Sequence, residues 1–544
     1  MKRCVWIALW GVCGVACGAF AADLPHLEKR GAATQLIVDG QPYLMLAGEL
    51  HNSSSASLAY LEKVWPKLQK LNLNTVLAPV SWEQLEPEEG RFDFALADGL
   101  VKQARQHDMR LVLLWFGSWK NGVSSYAPEW VKRDTARFPR AKGSSNRNTK
   151  DILSALSDEN RRADARAFAA LMRRLREIDH ARHTVLMVQV ENEVGIKPEP
   201  RDLSEAADAA FQGAVPQELL AYFAAHREAL HPELLKRWEA GGFKTGGAWS
   251  DVFGGPAGAA EVFSVWSYAR YINEVVKAGK REYPLPMYVN AWLPAPGAPA
   301  GNYPSGGPVA HMLEVWRAGA PAVDLFAPDI YLAEFKEVCD AYVRNGNPLM
   351  IPETRRDEDA CARAYWTFGA RGGLCFSPFG IESLPDDHPL RDAYALLAQL
   401  SPLIGAAQAA GLITAAYQQD PSKDKPEEVL VLGDWNVLVK YVKDGLPRNG
   451  RSGALVLQSG PETFIVAGQG VEVGFGARTP GPRQTQILSV EMGRVEKGRF
   501  VCELRLNGDE TGANYRAKIP AFASNLFLEP AKPRILRVRV YRHD

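Results

Sequence analysis

Eight short runs of uninterrupted apolar residues, separated by stretches of helical period, constrain this chain more than any other feature. They are Leu44–Gly48, Asn74–Val80, Arg110–Phe116, Thr184–Val190, Pro286–Ala291, Val323–Pro328, Pro348–Pro352 and Gly373–Pro378. A strand with water on one side alternates apolar and polar residues, whereas an unbroken run predicts a parallel strand buried on both faces. Leu61–Leu71, Leu96–His107 and roughly residues 158–178 repeat their apolar residues at helical spacing. Eight β/α units over about 370 residues predict a (β/α)8 TIM barrel with insertions, one of them helical near residues 199–240. The competing arrangement is a doubly wound open sheet. It would ordinarily carry a glycine-rich phosphate loop, and neither G-x-G-x-x-G nor a P-loop is present.

After residue 400 the pattern changes to short runs such as Val429–Leu432, Val437–Tyr441, Thr463–Val466 and Phe500–Leu506, with Asp-Gly, Asn-Gly and Lys-Gly turns beside them. Ile535–Tyr541 alternates apolar and basic residues. The expectation is an all-β accessory domain, a sandwich, over residues 406–544, following a barrel over residues 23–405. Trp435 and Phe464 are its candidate carbohydrate contacts, against a simpler role of buttressing the barrel.

Lys2 and Arg3 precede an apolar run, Val5–Phe20, that ends in small residues, so residues 1–22 read as a secretory leader and the product as exported, periplasmic or secreted. Lipid attachment at Cys17 is disfavoured by Gly14, which stands where a lipobox carries Leu. No later run is apolar enough for a membrane span. Outside the leader lie Cys339, Cys361, Cys375 and Cys502, too few for a disulfide framework. They are expected to be buried apolar side chains, with room for one bridge, Cys339 to Cys361. The formal net charge of zero provides no long-range field to attract nucleic acid. The ten histidines show no H-E-x-x-H spacing, so neither a metal nor another cofactor is expected, and no G-x-S-x-G elbow suggests a serine esterase. The sequence sets no oligomeric state.

Reacting groups of TIM barrels sit at the C-terminal strand ends, which makes those ends the place to look for chemistry. The fourth run leads into Glu191-Asn192-Glu193 and the seventh into Glu353-Thr354-Arg355. Strands four and seven lie on nearly opposite sides of an eight-stranded barrel. Carboxylates there could approach to the ~5–5.5 Å that retaining glycoside hydrolysis requires, one as proton donor and one as nucleophile. A lone strand-end Glu usually caps a helix or pairs with Arg; two on opposing strands, among Trp, Asn and Tyr at the other ends, favour chemistry. Glu191 and Glu193 share strand parity, so spacing leaves open which of them faces a substrate.

The segment Val188–Gly195 (VQVENEVG) closely resembles the acid/base motif of glycoside hydrolase family 35, the β-galactosidases. Asn74–Phe94 resembles that family's second-strand region, and Ala47–His51 the start of its barrel. Glu353 falls where its nucleophile is expected. The resemblance implies a retaining exo-β-galactosidase with Glu193 as acid/base, Glu353 as nucleophile and Asn192 on the sugar 2-hydroxyl. There are departures. Asn52 replaces the family's usual Tyr, and Trp115–Asn121 (WFGSWKN) replaces the stretch that shapes the galactose pocket. The match is closer to a divergent bacterial branch that includes xyloglucan side-chain β-galactosidases. Alternatives are an α-L-arabinopyranosidase or β-glucosidase specificity, or a barrel that binds sugar without catalysis.

The remaining strand ends supply candidate carbohydrate contacts. Glu49, His51 and Asn52 follow the first strand, and Trp119 and Lys120 the third. Asn290 and Trp292 end the fifth, and Tyr331 follows the sixth. Trp119 and Trp292 are candidate stacking platforms for sugar rings, and Tyr331 a candidate support for the nucleophile.

Overall fold

The computed structural model describes residues 23–144, 151–442, 451–482, 484–506, the backbone of 517–519, and 533–544. The expected leader, residues 1–22, lies outside the described residues.

Eight parallel strands close into a barrel: β1 (Met45–Glu49), β2 (Thr75–Ser81), β3 (Arg110–Lys120), β4 (Val185–Asn192), β5 (Met287–Trp292), β6 (Leu325–Ile330), β7 (Met350–Thr354) and β8 (Cys375–Pro378). Each pairs with its sequence neighbours, and β8 pairs with β1 to complete the ring. The open-sheet alternative is thereby excluded. Every residue of β1, β4, β6 and β7 is buried, as unbroken apolar runs require. Ala47, Leu77, Val112, Leu114, Tyr288, Ala327 and Cys375 fill the interior. A small N-terminal sheet (His26–Arg30, Ala33–Val38, Gln41–Pro42) adds Leu36 and Val38 to that cluster.

Two long helices back the β3–β4 side of the barrel. Helix α1 (Asp158–Asp179) begins where the Ser157 hydroxyl accepts the Asn160 N–H, with Asp158 and Glu159 in its first turn to suit the helix dipole. It packs on α2 (Pro256–Glu282), where Gly279 meets the Phe168 ring. The helical insertion before α2 runs from Glu205 to Val252, further than the expected 199–240.

Helix α3 (Ala360–Ala370) precedes β8, and α4 (Leu390–Ala410) follows it. Helix α4 is continuous across residue 405, the expected boundary. It ends where Gly411 adopts a left-handed conformation (φ 67°), and the first sandwich strand follows at Ile413. The sandwich has a six-stranded antiparallel sheet, which includes Ile413–Tyr417, Gly453–Gly460, Thr463–Gln469 and Arg534–His543, and a four-stranded one with Trp435–Tyr441 and Val471–Ala477. Trp435 and Phe464 are buried between the sheets, with Phe464 stacked at 4.1 Å on Phe475, so they form core and are not sugar contacts. The outer face of the larger sheet places Leu455, Leu457, Ile465 and Ile535 in the same apolar cluster as the barrel helices.

Cys339, Cys361 and Cys375 are buried free thiols; no bridge joins Cys339 to Cys361, and Cys502 is exposed. Among the described residues no helix is long and apolar enough to cross a membrane.

Candidate active site

The end of β4 answers the parity question through its backbone. Glu191 and Glu193 both have positive φ, 63° and 45°, a conformation that side chains with a Cβ adopt only under external constraint. Strand alternation therefore breaks, and the two carboxylates part company. Glu191 turns into the protein, where it accepts the backbone N–H groups of Ser118 (3.0 Å) and Trp119 (2.6 Å). Beside it lies Asp164 of α1, which accepts from Trp115 Nε1 (2.9 Å), Ser118 Oγ (2.7 Å) and Tyr271 OH (3.2 Å). Burial first, and then the charge of Asp164, hold Glu191 well above the usual carboxylate range. Gly117 leaves room for this polar cluster: a Cβ there would lie 2.4 Å from Trp115 Nε1 and 2.5 Å from Glu191 Oε1. Glu193 instead lines a pocket of about 290 Å³ with Asn121, Trp292, Asp329, Tyr331 and Glu353.

Glu191 thus anchors the segment that delivers Lys120 and Asn121. There the chain reverses in a two-residue Asn121-Gly122 turn, both residues at positive φ (53° and 69°), closed by reciprocal hydrogen bonds between Lys120 and Val123. The Asn121 N–H donates to the Asn192 carbonyl at 3.2 Å, tying this turn to β4.

Carboxylate oxygens of Glu193, Asp329 and Glu353 lie within 4.8 Å of one another. Their oxygen donors are also close enough together to share a divalent cation. Tyr331 donates to Glu353 Oε1 at 2.6 Å, while Glu353 Oε2 is buried with no hydrogen-bond partner. Glu193 is pushed up to about 7, most by burial and next by the charge of Glu353, with Lys120 and Lys197 pulling the other way. Burial and the charge of Glu353 likewise raise Glu49 well above its ordinary range.

The expected contacts divide into two groups. Glu49 and Asn192 are buried with unpartnered polar atoms (Glu49 Oε1, both amide atoms of Asn192), and Asn52 Oδ1 is likewise unpartnered. Lys120 is buried, its ammonium 4.9 Å from the Phe116 ring centroid. Trp292 and Tyr331 are 39% and 40% exposed, Trp292 with the Lys197 ammonium 4.0 Å from its ring. The other group is occupied by the protein itself. Trp119 is fully buried, donates to the Leu153 carbonyl and packs on Tyr268 and Tyr271, so it is no stacking platform. Asn290 is also engaged within the protein: it accepts the Glu193 N–H (3.0 Å) and donates to Asp329 (2.6 Å). His51 is held by Ser383 (2.8 Å) beside Glu382, which accepts the His51 N–H and the Ser54 hydroxyl.

Asp329 and Asn121 were not among the expected contacts. Asp329 follows an apolar strand much as Glu353 does, and that was its only signal. Asn121 is delivered by a turn whose Asn-Gly sequence marks it.

Fold and site together define a (β/α)8 barrel with a carboxylate-lined pocket at the C-terminal ends of its strands. A family model described as Beta-galactosidase, that of glycoside hydrolase family 42, matches residues 56–227, a span that contains Glu193 but not Glu353. A domain of unknown function, DUF5597, matches residues 390–518. A beta-galactosidase of Xanthomonas manihotis is 29% identical over 183 residues, 33% of this chain and 28% of that relative, so the chain matches little more than a quarter of the relative's length. Among solved structures, the cold-adapted beta-galactosidase from Rahnella sp. R3 aligns at 15% identity and TM-score 0.45, over 67% of this chain and 57% of that one. The beta-galactosidase from Bacillus circulans sp. alkalophilus aligns at 14% and 0.43, over 66% and 57%.

Proposed function

We propose that this chain is a retaining exo-β-galactosidase acting on galactosylated oligosaccharides of the kind found as xyloglucan side chains. The observation that carries the proposal is the meeting of Glu193 and Glu353 from strands three steps apart around the eight-stranded ring, with oxygens within 4.8 Å. Retaining chemistry requires such closeness, because one carboxylate must reach the anomeric carbon; inverting enzymes leave room for a water. Beside the pair, the unpartnered buried atoms of Glu49 and Asn192 are suited to a ligand rich in hydroxyl groups. The match of residues 56–227 to a beta-galactosidase model, together with the family 35 resemblance of Val188–Gly195, supports the galactoside reading. The carboxyl groups of Glu49, Glu193, Asp329 and Glu353 outnumber the two lysines, Lys120 and Lys197, a balance that favours a neutral sugar over a uronic acid.

In this reading Glu353 Oε2 attacks the anomeric carbon as the glycosidic C–O bond breaks and Glu193 gives its proton to the departing oxygen. Tyr331 holds Glu353 in line through Oε1. Glu193, now ionised, takes a proton from the water that cleaves the glycosyl ester, and configuration is retained. A carboxyl pushed up to about 7 is an acid still loaded near neutral pH. The pocket shares Leu293 and Leu332 with a neighbouring cavity of about 630 Å³, room for the leaving group.

The test is hydrolysis of p-nitrophenyl β-galactoside beside the β-glucoside and α-arabinopyranoside, with β-galactose expected as the first product by NMR. Glu353→Gln should lower kcat by about 10³-fold or more. A folded protein silent on every glycoside, or a Glu353→Gln variant with near-normal turnover, would overturn the reading. Preference for the glucoside or arabinoside would retain the mechanism and replace the sugar.

A further inference from the structure

The cavity of about 630 Å³ beside the catalytic pocket is walled by the two segments that leave β5 and β6. Along the first, Trp292 lines the pocket, Leu293 lines both spaces, and Pro294, Pro296 and Ala298 line the cavity. Along the second the order repeats: Tyr331 lines the pocket, Leu332 both, and Val338 and Ala341 of the helix Phe335–Tyr342 the cavity. The two spaces are thus consecutive parts of one cleft. At about 290 Å³ the pocket is at the small end of ligand sites, which run from about 300 to 1,000 Å³, and suits a single sugar ring. The cavity has room for more than one.

Its polar lining is built from within. His311 lines the cavity, and its Nε2 lies 3.0 and 3.1 Å from the two carboxylate oxygens of Glu261, a buried residue of α2. Glu261 also accepts from Arg237 Nη2 at 2.8 Å and from Tyr303 OH at 2.5 Å. With Nε2 committed as donor to a carboxylate, Nδ1 of the neutral ring is an acceptor, and it has no hydrogen-bond partner among the described residues. Glu233, Glu334 and Glu337 add further acceptors, and no lysine or arginine is among the described residues that line the cavity. Such a lining accepts from hydroxyl groups and repels an anion. At the junction of the two spaces, Trp292 has the Lys197 ammonium over its ring and still presents open indole surface, apolar area suited to the C–H face of a sugar.

We propose that this cavity is a subsite for a neutral oligosaccharide leaving group of more than one sugar unit, with His311, held by Glu261, as its hydrogen-bonding residue. The inference rests on the glycosidase reading and adds to it what is bound beyond the scissile bond. Contacts made by the distant sugars then raise the rate on a long substrate over a short one with the same bond to break.

The experiment compares kcat/KM of the full chain for a β-galactosylated xyloglucan oligosaccharide and for the galactosyl-xylose disaccharide that shares its scissile bond, beside p-nitrophenyl β-galactoside. Wild type should favour the oligosaccharide over the disaccharide by about tenfold or more. Ala341→Phe narrows the cavity without altering a residue of the catalytic pocket and should bring that ratio close to one. His311→Phe keeps a ring, removes Nδ1 and leaves Glu261 its contacts with Arg237 and Tyr303; it should lower the ratio by several-fold. If Ala341→Phe lacks the native thermal transition, Ala298→Phe on the opposite wall carries the test. Aryl galactoside turnover with no gain for the longer substrate, or a gain that no variant reduces, would overturn the inference and leave the glycosidase reading standing. A wild-type protein inactive on all three substrates would remove that reading and the subsite with it.

Discussion

At the scale of single residues, the two glutamates at the end of β4 show how backbone conformation divides roles between identical side chains. Glu191 satisfies two backbone N–H groups inside the protein, whereas Glu193 is aimed into a pocket among other carboxyl groups. The second arrangement has a cost in stability that can be measured. The Glu193 carboxyl has an ordinary value of 4.5 and is raised to about 7 in the fold. Between those values the folded state binds more protons than the unfolded chain, so stability falls as pH rises from about 4.5 to 7, and the penalty is complete above 7. Glu193→Gln removes it. The variant should match wild type near pH 4.5 and exceed it at pH 8, by on the order of 3 kcal/mol at most. Thermal melts at the two pH values check this; a variant no more stable than wild type at pH 8 would refute it. Asp329 was hard to read from the sequence for a related reason. An Asp after an apolar strand has no spacing that marks it, and only closure of the barrel brings it to Glu193.

At the scale of elements, the pocket depends on how strands leave the barrel. Gly195 has φ 136°, and a Cβ there would lie 2.3 Å from the Pro304 carbonyl carbon and 2.4 Å from the Gly306 nitrogen. The loop around residues 304–306 therefore packs directly on the backbone that carries Glu193. Gly195→Ala combines a forbidden φ with contact against main chain, neither of which a side-chain rotation relieves. It should cost about 2–4 kcal/mol, with kcat/KM falling through displacement of Glu193. Urea unfolding with an unchanged m-value, beside the kinetics, checks both parts. Strand existence and type were legible because fully buried parallel strands write themselves as unbroken apolar runs. Their lengths were less so. β3 extends through Gly117–Lys120, where small and polar residues are buried against Glu191 and Asp164 and not against apolar neighbours. Trp119 belongs to that extension, which is why a residue expected at the rim lies in the core.

At the scale of the whole molecule, the sandwich is part of the barrel's structure. Its larger sheet is covered on one face by the smaller sheet and on the other by helices α3 and α4, with Gly369 of α3 against Ala415 and Leu455. Separating the two would expose apolar surface on both, at about 25 cal/mol for each Å² uncovered. One cooperative calorimetric transition is therefore expected for the full chain, and poor solubility for a chain ended after Ala410. Two well-separated transitions would show that the interface contributes little.

The sequence by itself determined the eight-stranded barrel, the all-β region after it and the candidacy of Glu193 and Glu353, because these rest on local periodicity and on position at strand ends. Tertiary structure alone decided which side chains share the pocket. Parity could not separate Glu191 from Glu193, since the answer lay in two positive φ angles. Composition could not divide Trp119 in the core from Trp292 at the surface. Nor could spacing bring Asp329, Asn290 and Glu193 together, because their contacts form across neighbouring strands far apart in the chain.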